Sequence, residues 1–101
     1  MKKYKTVEDL LKNKTRWTRF AYARNKYGKA VKLSSSHATR FCLTGALIKI
    51  YGSPQTDKHI DANFKLFKTL RKKSRKYGGP IFFNDTHTHA EVLNLVKQAK
   101  I

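Results

Sequence analysis

The chain has 101 residues, 40% apolar and 12% aromatic, with 23 Lys+Arg against 6 Asp+Glu and a formal net charge of +17. Charge of that size opposes compaction and favours polyanionic partners, while Trp17, six Phe and five Tyr exclude a disordered coil. No apolar run approaches the roughly 18–20 residues of a membrane span, so the expectation is one compact basic domain, residues 1–101, in the cytoplasm.

In chain order, Thr6 is a plausible N-cap for a short helix through Leu10-Leu11 that ends near Asn13, with Glu8 and Asp9 suited to its dipole. From Arg16 to Arg24 the pattern alternates, placing Thr18, Phe20 and Tyr22 on one face. Asn25-Lys26-Tyr27-Gly28 supplies a turn, and Lys29–Leu33 can return, which predicts a β-hairpin. Ser34-Ser35-Ser36 breaks the pattern. His37–Tyr51 then reads as a buried central helix closed by Gly52, and close packing of another element would account for Gly45 within it. Cys42, the one cysteine, reads as a small buried hydrophobe in that helix.

The third helix runs from about Asp57 to Tyr77 and stops at Gly78-Gly79-Pro80. Helical spacing puts Ile60, Phe64, Phe67, Leu70 and Tyr77 on one side and Lys58, Lys65, Lys68, Lys72 and Lys76 on the other. Ile81-Phe82-Phe83 reads as a buried strand or extended segment, and Asn84-Asp85 as a turn. Thr88 and Glu91 form a capping box for a final helix to about Ala99. The fold class is therefore α+β: a helix-rich single domain with three longer helices, a short N-terminal helix and a β-hairpin.

Three constellations could carry function. Lys65, Lys68, Lys72 and Lys76 form a rail of point charges suited to phosphates, with no acid between Asp61 and Asp85. The alternative is an ordinary solvated face. Codon bias in an AT-rich genome would supply lysine, yet would not explain the scarcity of Asp and Glu. The hairpin interleaves Arg16, Arg19, Arg24 and Lys26 with aromatics. Arg19 and Arg24 are phosphate candidates and Tyr22 and Tyr27 base-stacking candidates, whereas Trp17 reads as core. Between Phe83 and His89, Asn84 and Thr86 could hydrogen-bond a ligand, or they could simply cap and turn. His87-x-His89 lacks the ligand count of a zinc site, and no nucleophile motif accompanies Asp85. No catalytic residue, metal or cofactor is expected.

Three ordered blocks carry a resemblance: Trp17-x4-Tyr22-Ala23-Arg24-x3-Gly28, Ala38-x2-Phe41-Cys42-Leu43-x-Gly45-Ala46-Leu47, and Phe83-Asn84-Asp85 before Thr88-x2-Glu91-Val92-Leu93. Together they resemble a family of small uncharacterised proteins of bacteriophages and bacteria, over roughly residues 16–99. The resemblance implies no activity, but marks Arg24, Asn84 and Asp85 as positions to watch. The functional expectation is a non-enzymatic phage-type protein that binds phosphate-bearing nucleotide ligands, nucleic acid first, through Arg/Lys clusters. The alternatives are a counter-defence sponge for a small cyclic nucleotide, which would be a pocket or an oligomer interface, and a basic inhibitor of an acidic host protein.

Overall fold

The computed structural model describes residues 4–73 and 79–101, so Lys76 and Tyr77 lie outside the described residues. The architecture is α+β, with five α-helices and one two-stranded antiparallel sheet among the described residues. Helix α1, Val7–Leu11, starts where expected, with the Asp9 amide donating to Thr6 Oγ1 at 3.0 Å. It buries Val7, Leu10 and Leu11. A 3₁₀ turn, Lys14–Arg16, follows, capped by Asn13 Oδ1.

Strand β1, Ala23–Arg24, pairs with β2, Arg40–Phe41, in the register Ala23 to Phe41 and Arg24 to Arg40. The expected return segment, Lys29–Leu33, follows the Asn25–Gly28 turn but touches β1 through one bridge, Arg24 to Ala30. Burial explains the choice of partner. Phe41 enters the core at 3% exposure, whereas Lys29, Ala30 and Lys32 face solvent.

Because β2 takes Arg40 and Phe41, helix α2 spans Leu43–Tyr51 and begins six residues later than expected. Cys42 is its N-cap rather than an interior residue, with Sγ accepting from the Gly45 amide at 3.2 Å. Gly52 closes the helix at φ +92°. Gly45 has the predicted close neighbour: a Cβ built there would lie 2.1 Å from the Tyr22 carbonyl oxygen.

Helix α3 covers Asp57–Lys73. Its core face is His59, Ala62, Leu66 and Leu70; of the expected apolar side Leu70 packs inward, whereas Ile60, Phe64 and Phe67 stay exposed. At about 100° per residue, those positions, the exposed stripe Ile60-Phe64-Phe67, and the lysines form three sectors roughly 120° apart. Two apolar sectors of different bulk share the same period, and the smaller residues are the buried ones.

Pro80–Thr86 is helix α4, not a strand. Pro80 is suited to a first helical turn, and Phe83 and Asn84 turn inward while Ile81 and Phe82 stay exposed. Helix α5, His89–Ala99, carries the predicted capping box, which draws the exposed Glu91 carboxyl below its ordinary range through the Thr88 amide. Helices α2, α3 and α5 enclose the core, with Leu43, Leu47, Leu66, Leu95 and Val96 fully buried. The Ile101 carbonyl accepts from the Val7 amide and the Tyr51 hydroxyl, tying α1 and α2 to the end of α5.

Candidate nucleic-acid interface

The arginines nearest the hairpin serve the backbone. Arg24 donates to Thr18 Oγ1, to the Gly28 carbonyl and to the Arg19 carbonyl, at 2.9, 2.9 and 3.1 Å. Arg19 donates to the His87 carbonyl and lies over the Trp17 ring. Arg16 donates to the Leu10 and Asp9 carbonyls, supplying the missing donors at the end of α1. Arg40 donates to the Lys26 carbonyl at 3.1 Å. Arg19 and Arg24, expected to grip phosphate, are thus placed as half-buried staples of the segment from Arg16 to Gly28.

Charge alone cannot replace such a staple. Arg24→Lys retains the cation but loses the planar fork, and should destabilise the fold by about 1–2 kcal/mol. Urea denaturation checks this; a midpoint equal to wild type would show that the fork is dispensable.

Asn84, a candidate for hydrogen-bonding a ligand or for turning the chain, is fully buried. Its Oδ1 accepts from Trp17 Nε1 at 2.7 Å and from the Leu43 amide at 3.0 Å. Its Nδ2 donates to the Thr18 carbonyl at 3.0 Å and to Asp85 Oδ1 at 3.1 Å. Two acceptor sites and two donors are all that an amide has, so none remains for a ligand. Asn84 is a junction joining the Trp17–Thr18 segment, the start of α2 and helix α4. Asp85 extends it by accepting the Phe20 amide at 3.0 Å. Phe20, 72% exposed, sits at φ +64°, a strained backbone for a bulky residue.

Thr86 is exposed, but its hydroxyl donates back to the Phe82 carbonyl at 2.7 Å inside α4. The histidines also serve the fold. His59 Nδ1 lies 2.9 Å from the Gly52 carbonyl, His89 Nε2 lies 2.6 Å from the Leu11 carbonyl, and His87 stacks on Phe83. No cluster of three metal-ligating side chains occurs among the described residues. Burial pushes the Cys42 thiol above its ordinary range, which disfavours a thiolate.

The features left facing solvent are the lysine rail and an aromatic belt. Lys65, Lys68 and Lys72 are exposed along α3, although Lys65 pairs with Asp61 at 3.1 Å. Such a surface pair is weak and gives way readily to a phosphate. The exposed stripe of Phe64 and Phe67 flanks the rail. The belt continues beyond α3. Gly79 lies against the Phe67 ring, exposed Ile81 and Phe82 follow in α4, and Ile81 shares a cleft of about 450 Å³ with Phe20 and Tyr22. Tyr22 and Tyr27, the stacking candidates, are 52% and 81% exposed, and Lys26 lies over the Tyr27 ring. The rail is legible from charge spacing; the belt is not, because Phe64 and Phe67 read as the side opposite the lysines and Ile81-Phe82 as a buried strand.

This geometry defines a small α+β domain with a cationic and aromatic outer face. The chain belongs to a family of unknown function, DUF6197, which it matches over residues 4–100. Comparison with curated proteins and with solved structures returns no match. No helix among the described residues is long and apolar enough to cross a membrane.

Proposed function

We propose that this chain is a non-enzymatic protein that binds nucleic acid, preferentially single strands, across the exposed face of α3. One observation carries the reading: Lys65, Lys68 and Lys72 run beside solvent-facing Phe64 and Phe67 on the same helix. A lysine row neutralises phosphates without reading sequence, and adjacent rings stack on unpaired bases. Duplex DNA keeps its bases stacked internally and could use only the lysines. In the phage or bacterial setting that the resemblance implies, such a protein would act by occupancy, coating strands rather than altering them.

Fluorescence anisotropy with a labelled oligo(dT) strand and a matched duplex tests this. Replacing Lys65, Lys68 and Lys72 by Gln should reduce the slope of log affinity against log salt by about 2 for the single strand. Phe64→Ala with Phe67→Ala should weaken single-strand binding by about 1–3 kcal/mol per lost stack and leave duplex binding little changed. Salt-independent binding, or a slope unaffected by the lysine substitutions, would defeat the proposal.

The aliphatic members of the belt, Ile60 and Ile81, favour a second reading, since they cannot stack on bases. There the belt would seat an acidic host protein with an apolar ridge, and the lysines would meet its carboxylates. Affinity for that partner with none for oligonucleotides would select it.

A further inference from the structure

A second cationic surface lies away from α3. The end of α1, the loop between β1 and β2, and the end of α2 enclose a cleft of about 800 Å³. That volume falls within the range of small-ligand sites, roughly 300–1,000 Å³. Among the described residues Arg16, Lys26, Arg40 and Lys49 line it, and no carboxylate does. No residue of α3, α4 or α5 contributes.

The guanidinia are preorganised. Arg16 is anchored through Nε and Nη2 on the Leu10 and Asp9 carbonyls, and Arg40 through Nη2 on the Lys26 carbonyl. The Nε and Nη1 donors of Arg40 have no protein acceptor among the described residues, so each can meet an anion oxygen. Hydroxyls of Ser34, Ser36 and Thr39 also line the cleft and are without side-chain hydrogen bonds among the described residues. The Ser35 hydroxyl, by contrast, accepts the His37 amide and shapes the turn. Half-buried Ala38 and Ile50 give the cleft an apolar wall.

We propose that this cleft binds a small phosphorylated ligand of nucleoside-diphosphate size, its phosphates held by the four cations and the serine hydroxyls and its ring set against the apolar wall. Four cations without a counter-charge call for a compact, multiply charged anion, and anchored guanidinia bind one with little ordering loss. The space exceeds what inorganic phosphate fills, which leaves room for a ring. The site does not depend on nucleic-acid binding at α3.

The test uses the full chain, isotope-labelled, titrated with ADP and followed by amide chemical shifts. The expected result is saturable 1:1 binding with shifts at residues 34–41 and 49. Arg40→Gln with Lys49→Gln should weaken affinity by more than tenfold, roughly the effect of losing two charge-assisted contacts. Lys49→Gln alone should weaken it several-fold, and because Lys49 is exposed this variant keeps the fold. Replacing Lys65, Lys68 and Lys72 by Gln should leave ADP affinity unchanged while impairing oligonucleotide binding. Absence of saturation, shifts confined to α3, affinity indifferent to both cleft variants, or adenosine binding as well as ADP would each overturn the proposal.

Discussion

Replacing Asn84 by alanine is expected to destabilise the protein by about 3–5 kcal/mol, enough to leave a small domain largely unfolded. The side chain accepts from Trp17 Nε1 and the Leu43 amide, and donates to the Thr18 carbonyl and Asp85. Truncation strands a part-buried indole N–H and the buried first amide of α2, and a stranded buried group costs about 1–3 kcal/mol. A cavity adds to this. Asn84→Asp separates the contributions: it keeps the acceptor oxygens but sets a second carboxylate against Asp85. That variant should be more stable in mild acid than at neutral pH, because protonation relieves the repulsion. Chemical denaturation across pH measures both. An alanine variant within about 1 kcal/mol of wild type would show that the junction is not a structural hub.

Gly45→Ala should cost about 2–3 kcal/mol, although alanine in a helix interior usually gains about 1 kcal/mol over glycine. The new methyl would sit 2.1 Å from the Tyr22 carbonyl oxygen, backbone that cannot rotate away. That carbonyl also accepts the Cys42 amide at 3.3 Å, so moving it disturbs the cap of α2 and the approach to β1 together. A lowered thermal midpoint with new shifts at residues 20–24 is the expected signature. A gain in stability would mean that the loop moves freely away from α2.

Where local chemistry decides the structure, the sequence is readable. Thr6, Gly52 and the Thr88–Glu91 box each bring their own hydrogen bond or backbone freedom, and each marks a boundary that the structure keeps. The need for Gly45 was likewise legible as a close approach, though not its partner. Elements decided by distant contacts were misread. Pairing of β1 with Arg40–Phe41 depends on burial of Phe41, which no local pattern reveals. Ile81-Phe82-Phe83 looks extended because a helix of seven residues is too short to display its period. On α3 the larger aromatics mask Ala62 and Leu66, which pack with Leu70. For the site, lysine spacing located the rail. The role of Arg19, Arg24 and Asn84 could not be read, because an arginine that grips phosphate and one that grips a carbonyl are identical in sequence.

The cations of this molecule divide by chemistry. Among the described residues Arg16, Arg19, Arg24 and Arg40 hold main-chain oxygens, whereas the ion pairs formed by Lys12 and Lys65 lie in the open at the surface. Seventeen lysines equal the formal excess of +17. The polycation is therefore a coat of amines worn over a scaffold riveted by guanidinium. Acylating those amines would discharge the particle almost completely and leave its rivets in place, while a drift from Arg to Lys at 16, 19, 24 or 40 would preserve every charge and loosen the frame.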